Sequence, residues 1–196
     1  EETFRPSDPW QTPVELHWHL LDVPYYMQRL PMDWFWENSV ARSIAGQPFQ
    51  VLNDVANMVY LPAHLALHHR YEPLHSFLDL ALLIVNRQEQ LDWPQIISAA
   101  RSFELATALQ GTLERLARYW PSLPLKEPLR RLAAVAPSRA DARLHRLLTS
   151  EAPSTSLNIY TTVISLPTVS ARARYVWDNV FPQASYMKRR YRVSAG

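Results

Sequence analysis

Val14-Glu15-Leu16-His17-Trp18-His19-Leu20 alternates without a break: Val14, Leu16, Trp18 and Leu20 fall on one side, Glu15, His17 and His19 on the other. Successive side chains of a strand point to opposite faces, so a period of two reads as a strand with one face buried. A strand over 13–20 is expected, paired with at least one other, with Leu16 and Trp18 buried and Glu15 turned to a cleft. The polar side carries a carboxylate and two imidazoles, groups able to bind a metal or move a proton. An edge strand whose polar face is merely wet would show the same pattern.

Composition narrows the classes. With 196 residues, 47% of them hydrophobic, the chain can bury a core as one domain, or as one domain plus an appendage. Only 3 Gly against 16 Pro argues against a β-sandwich or a dinucleotide-binding fold, which need glycine turns. Apolar stretches punctuated by prolines predict many short helices instead. The absence of Cys excludes a disulfide framework and a zinc ribbon and fits a reducing, cytoplasmic setting. A net charge of +2 is too mild to imply nucleic acid. No signal peptide and no apolar run long enough to span a bilayer is present, so no membrane is expected. The sequence starts at Glu1 rather than Met, as it would if a segment had been removed upstream or if it began inside a larger protein.

Outward from the opening stretch, 1–13 is a polar, Pro-punctuated lead-in without periodicity. Met32 to Asn38 fits one or two helical turns. Val40 to Ala45 and Pro48 to Leu52 read as two extended segments around a turn at Gly46. Asn53 is the expected N-cap of a helix over 54–70 with a kink at Pro62. Helix 74–87 is apolar at nearly every position and is therefore expected to be central and buried. Asp92-Trp93-Pro94 caps and opens the next helix. Helices near 104–119, 125–135 and 139–149 follow. The stretch 154–166 is read as helical from the spacing of Leu157, Tyr160, Val163 and Ile164, despite its strand-forming residues. A helix over 168–180 and a basic turn over 185–192 complete the chain.

Two constellations carry chemistry. His64 and His68 are four apart, as zinc-binding pairs on a helix are, with His69 and His75 nearby, but the glutamate of the metalloprotease motif is missing. Buried, hydrogen-bonded structural histidines are the plainer expectation. Asp79 lies inside the apolar helix, and a buried acid needs a partner. The short connection at Tyr71-Glu72-Pro73 makes the two helices an antiparallel pair. Folding there sets Asp79 opposite residue 65, so an Asp79–His68 contact is expected, with His64 second. Lys188, Arg189, Arg190 and Arg192 could meet phosphate or RNA but fit a solvated face better. Trp34 and Trp36 suit a core or an interface. No Gly-rich phosphate loop and no nucleophile elbow occur.

Taken in order, several of these motifs resemble the uncharacterised nucleotidyltransferase family of bacteria. They are the acidic strand, the extended pair, the Asp-containing helix start and the run Leu61-x-x-His64-Leu65-x-Leu67-His68-His69. Leu78-Asp79-Leu80-Ala81-Leu82-Leu83, Leu91-Asp92-Trp93, Phe181-Pro182 and Tyr186-Met187-Lys188-Arg189-Arg190-Tyr191 continue the likeness. The resemblance implies transfer of a nucleotidyl group from an NTP to an acceptor, with Mg²⁺ held by three carboxylates. It makes Glu15 the third of these, aiding deprotonation of the acceptor, with His17 beside it. The Gly-Ser or Gly-Gly turn and the Asp-x-Asp strand of that fold occur nowhere in the sequence. One carboxylate cannot hold two metals, so this chain alone is expected to retain no cofactor and to be inactive.

The fold class implied is α+β, mostly α: a partial nucleotidyltransferase-like sheet region over 1–52 and a C-terminal helical domain over 53–196. The chain then resembles the C-terminal portion of such a protein. Two rival functions stand beside it, a non-catalytic helical interaction module and a His-rich metallohydrolase. An unpaired strand edge would favour self-association.

Overall fold

The computed structural model describes residues 2–4, 14–27, 29–134, 136–150, 159–160, 162–164, 166 and 168–181. The expected basic turn over 185–192 lies outside the described residues. Those described are mostly helical, with two separate two-stranded sheets, so the α+β, mostly α class is correct.

The first sheet is a ribbon. β1 (Glu2–Phe4) and β2 (Val14–Leu16) run antiparallel, with Glu2 opposite Leu16 and Phe4 opposite Val14. The expected strand over 13–20 is thus cut to three residues, and β1 was not anticipated. Leu16 is 41% exposed and Trp18 63% exposed, not buried. Two strands alone offer no sheet against which an apolar face could be covered. The Leu20-Leu21 doublet also breaks the alternation: the chain bends over 18–20 and delivers Leu21 into the core, 2% exposed.

Helices α1 (Pro24–Met27) and α2 (Met32–Glu37) then bring Tyr25, Tyr26 and Phe35 to that core. β3 (Ser39–Ile44) and β4 (Gln47–Leu52) form a hairpin. Its two-residue turn, Ala45-Gly46, has φ values of 50° and 79°. Two successive positive φ angles match the twist of the flanking strands, and the glycine adopts its angle without strain.

α3 (Asp54–Leu67) is the central element. Asn53 caps it as expected, its side chain accepting from the Ala56 N–H, and nine residues from Val55 to Leu67 are buried. It packs on α4 (Leu74–Asn86), α5 (Trp93–Ser102) and α6 (Ala106–Tyr119). Asp92 caps α5 through the Gln95 N–H, again as the sequence predicts. α7 (Lys126–Ala133) and α8 (Arg139–Leu148) close over α6. A last helix, α9 (Val169–Val180), buries none of its residues. One apolar cluster joins Leu21, Tyr26 and Phe35 to Met58, Leu65, Phe77, Ile84, Ile96, Leu109 and Leu113.

α4 departs from expectation. It buries only Phe77, Leu80, Ala81 and Ile84. Leu74, Leu78, Leu82 and Val85 stand 63, 46, 50 and 57% exposed, an apolar row on the outer face. A helix apolar all round hides which side faces inward, so hydrophobicity alone could not reveal this.

The corner between α3 and α4 is tight. Arg70 and Tyr71 both take left-handed backbone, φ 50° and 65°, and the Tyr71 N–H reaches back to the Leu65 carbonyl at 2.9 Å. Tyr71 is then seated between helices: its hydroxyl meets His145 Nε2, the Arg115 guanidinium covers its ring at 3.7 Å, and α6 presents Gly111 to it.

Candidate functional site

The chain emerging from β2 meets the end of α3. Asp22, on the connection into α1, has Oδ1 3.9 Å from His17 Nδ1 and Oδ2 3.6 Å from His68 Nδ1. These are ion-pair distances for a protonated imidazole, too long for a direct hydrogen bond. The His64 and His68 rings stack at 4.8 Å, 10° from parallel, and His69 stands edge-on to both. Tyr60 Oη lies 3.5 Å from His64 Nδ1.

Electrostatics disfavour protons on two of these rings, His64 and His69. Burial, reinforced by His68 and His69 alongside, pushes His64 down to about 4. Burial likewise lowers His69, with His68 and His75 adding to the effect. Packed imidazoles do not all accept protons cheaply. His64 and His69 therefore present unprotonated ring nitrogens in a cluster that also holds one carboxylate, suited to hydrogen-bonding a hydroxyl or taking a proton from it.

It is poorly arranged for a metal. Lone pairs lie in the ring planes, and near-parallel planes do not converge on one point as tetrahedral ligation requires. Among the described residues no group of three or more His, Cys, Asp or Glu is placed to hold a metal ion.

The expected Asp79–His68 contact is absent. Asp79 is exposed and makes no hydrogen bond or ion pair with the described residues, whereas His68 faces Asp22. His68 is also 40% exposed at its side chain, not buried; His64 is half-buried. Inward-facing Phe77, Leu80 and Ile84 set the register of α4, and this turns Asp79 outward beside Leu78 and Leu82. Glu15 has its backbone opposite Thr3, and the expectation for its side chain lies outside the described residues.

Beside this cluster a groove of about 460 Å³ is lined by His17, Trp18, His19, Met32, Trp36 and Tyr60, among others. Trp18 and Trp36 are each 63% exposed. Trp34, by contrast, packs edge-on against Phe35 and Phe103. The sequence held one signal for this split: residues two apart on a helix point to nearly opposite sides, so Trp34 and Trp36 could not both be inside. Asp22 carried no comparable signal, since its partner His68 is reached only through the fold.

A second polar centre lies deeper. Asp141, 2% exposed, accepts the Thr107 N–H at 3.0 Å, and burial pushes its carboxyl up to about 6. Nearby, Tyr25 donates to the Glu104 carboxylate, and Tyr26 donates to the Glu104 carbonyl at 2.9 Å.

Comparison with known proteins places the chain in a class. The model of a family described as uncharacterised nucleotidyltransferases matches residues 2–121, from β1 through α6. The chain belongs to that family. No curated protein matches it, and no solved structure does. Among the described residues no helix is long and apolar enough to cross a membrane.

Proposed function

We propose that this chain contributes to nucleotidyl transfer from an NTP to an acceptor by providing the third-carboxylate strand and a helical acceptor-side domain. Residues 1–52 are then the partial sheet region and 53–196 the helical domain. The observation that carries this is the family match over residues 2–121, which opens at the strand pair containing Glu15.

In such transfer an acceptor oxygen bonds to the α-phosphorus, pyrophosphate departs and the hydroxyl proton passes to a base. Bound Mg²⁺ would supply the charge that neutralises the polyphosphate, and Glu15 is the carboxylate this chain would offer it. Glu15 alone does not make that site, so the chain works only with a Gly-Ser turn and an Asp-x-Asp strand that its own sequence does not contain. In this reading His17, two residues on, orients the acceptor hydroxyl. Asp22 and His68 lie within reach of the same region to carry the proton away.

The test is transfer from an α-labelled NTP with Mg²⁺, using this chain alone and together with an Asp-x-Asp segment. Transfer is expected only in the second case, with a loss of about a hundredfold or more in Glu15→Gln. Transfer indifferent to Glu15→Gln would end this assignment.

The exposed row Leu74, Leu78, Leu82 and Val85 favours a second reading, a non-catalytic interaction module or self-associating chain. It predicts no NTP binding even when the missing segment is supplied.

A further inference from the structure

The groove beside β2 has a chemistry distinct from that of a phosphate site. The residues lining it include no Lys, Arg, Asp or Glu, so no fixed charge is available to neutralise a polyphosphate. What they offer is two water-exposed indoles, Trp18 and Trp36, with His17 and His19 also lining the groove. The space, about 460 Å³, is that of a small-molecule site.

Indole faces gain from covering the apolar face of a ring. Imidazole offers one N–H and one bare nitrogen when neutral, the pair needed to give and take hydrogen bonds with hydroxyls. A ring with a C–H face and hydroxyls around its edge satisfies both. A triphosphate satisfies neither.

We propose that this groove binds the acceptor, and that the acceptor is an uncharged, hydroxyl-bearing sugar ring stacked on Trp18 and Trp36 with its hydroxyls bonded to His17 and His19. Calling the ligand an acceptor rests on the nucleotidyl-transfer reading; the sugar site itself does not. Glu15 is two residues from His17, about 7 Å along a strand, so a hydroxyl held here lies close to where that carboxylate is anchored.

The experiment titrates the chain with glucose, galactose and N-acetylglucosamine, without nucleotide or metal, reading indole fluorescence and saturation-transfer NMR. Saturable binding in the millimolar range is expected for at least one. Trp18→Ala and Trp36→Ala should each weaken it about tenfold, while Trp177→Ala on α9 leaves it unchanged. All three side chains are exposed, so far-ultraviolet circular dichroism should stay constant. No saturation by any sugar overturns the proposal. So does binding of adenosine or ATP that is lost in the same two variants, since the groove would then be a nucleotide site. Sugar binding without transfer in the assay above would refute the nucleotidyl reading and leave the groove standing; transfer without sugar binding would do the reverse.

Discussion

Tyr71 Oη and His145 Nε2 lie 2.7 Å apart, joining the α3–α4 corner to α8 across 74 residues of sequence. Burial pushes the phenol up to about 12 and holds the imidazole down at about 4. Both groups are therefore neutral in the folded protein near pH 7, and the bond is one between uncharged partners.

That sets a pH dependence. His145 and His64 both sit at about 4 in the fold against an ordinary 6.5, so between those values the unfolded chain binds more protons. Stability is fully present above pH 6.5 and falls as the pH drops toward 4. Solvent reaches part of each ring, so the loss is on the order of 1–2 kcal/mol per histidine. Urea unfolding of His145→Gln should show a shallower decline over this range than the parent; an equal slope would contradict the assignment.

Asp141 acts with the opposite sign. Its folded value, about 6, lies above the ordinary 3.8, so its contribution is present below pH 4 and is lost as the pH rises through 6. Asp141→Asn keeps an acceptor for Thr107 and removes the ionisation. Its stability relative to the parent should therefore improve from pH 5 to pH 7. Asp141→Ala should instead cost about 2 kcal/mol, because the part-buried Thr107 N–H loses its partner.

Gly111 is a matter of space. A Cβ there would come within 2.6 Å of Tyr71 Oη, and the ring cannot retreat beneath the Arg115 guanidinium. Alanine is the better helix former by about 1 kcal/mol, yet overpacking costs typically ~1–3. Gly111→Ala is expected to destabilise by up to about 2 kcal/mol. In a Tyr71→Phe background the same change should cost less, and a double-mutant cycle by chemical denaturation reads the coupling directly.

The two sides of α4 should respond differently. Phe77, 1% exposed, fills the core, and Phe77→Ala should cost about 3–5 kcal/mol. Leu78→Lys with Leu82→Lys should shift stability by less than about 0.5 kcal/mol. If the outer row drives self-association, light scattering will show a smaller species for the lysine pair.

What could be read from the sequence was local. Asn53 and Asp92 were identifiable as caps because a cap is completed within three residues. The hairpin was identifiable because Gly46 marks a turn that its neighbours confirm. β2 was overextended because alternation continues through Trp18 while the chain has already turned to bury Leu21. Asp79 was misplaced because an acid in an apolar helix implies a core partner only if that side of the helix faces inward. Of the candidate site, the histidines stood out by spacing. Asp22 and the Trp18–Trp36 groove did not, since each depends on segments that only folding brings together.

The α3–α4 corner has a mechanical consequence. Two consecutive left-handed residues that are not glycine, Arg70 and Tyr71, occupy a narrow well bounded by steric walls. Large rotations out of that well are costly, so the corner behaves as a detent rather than a hinge. Swinging α4 would require both residues to change wells and Tyr71 to leave its seat. The outer row of α4 is consequently a handle at fixed pitch, and force applied to it passes to α3 and α6 by direct packing and, through Tyr71, to α8.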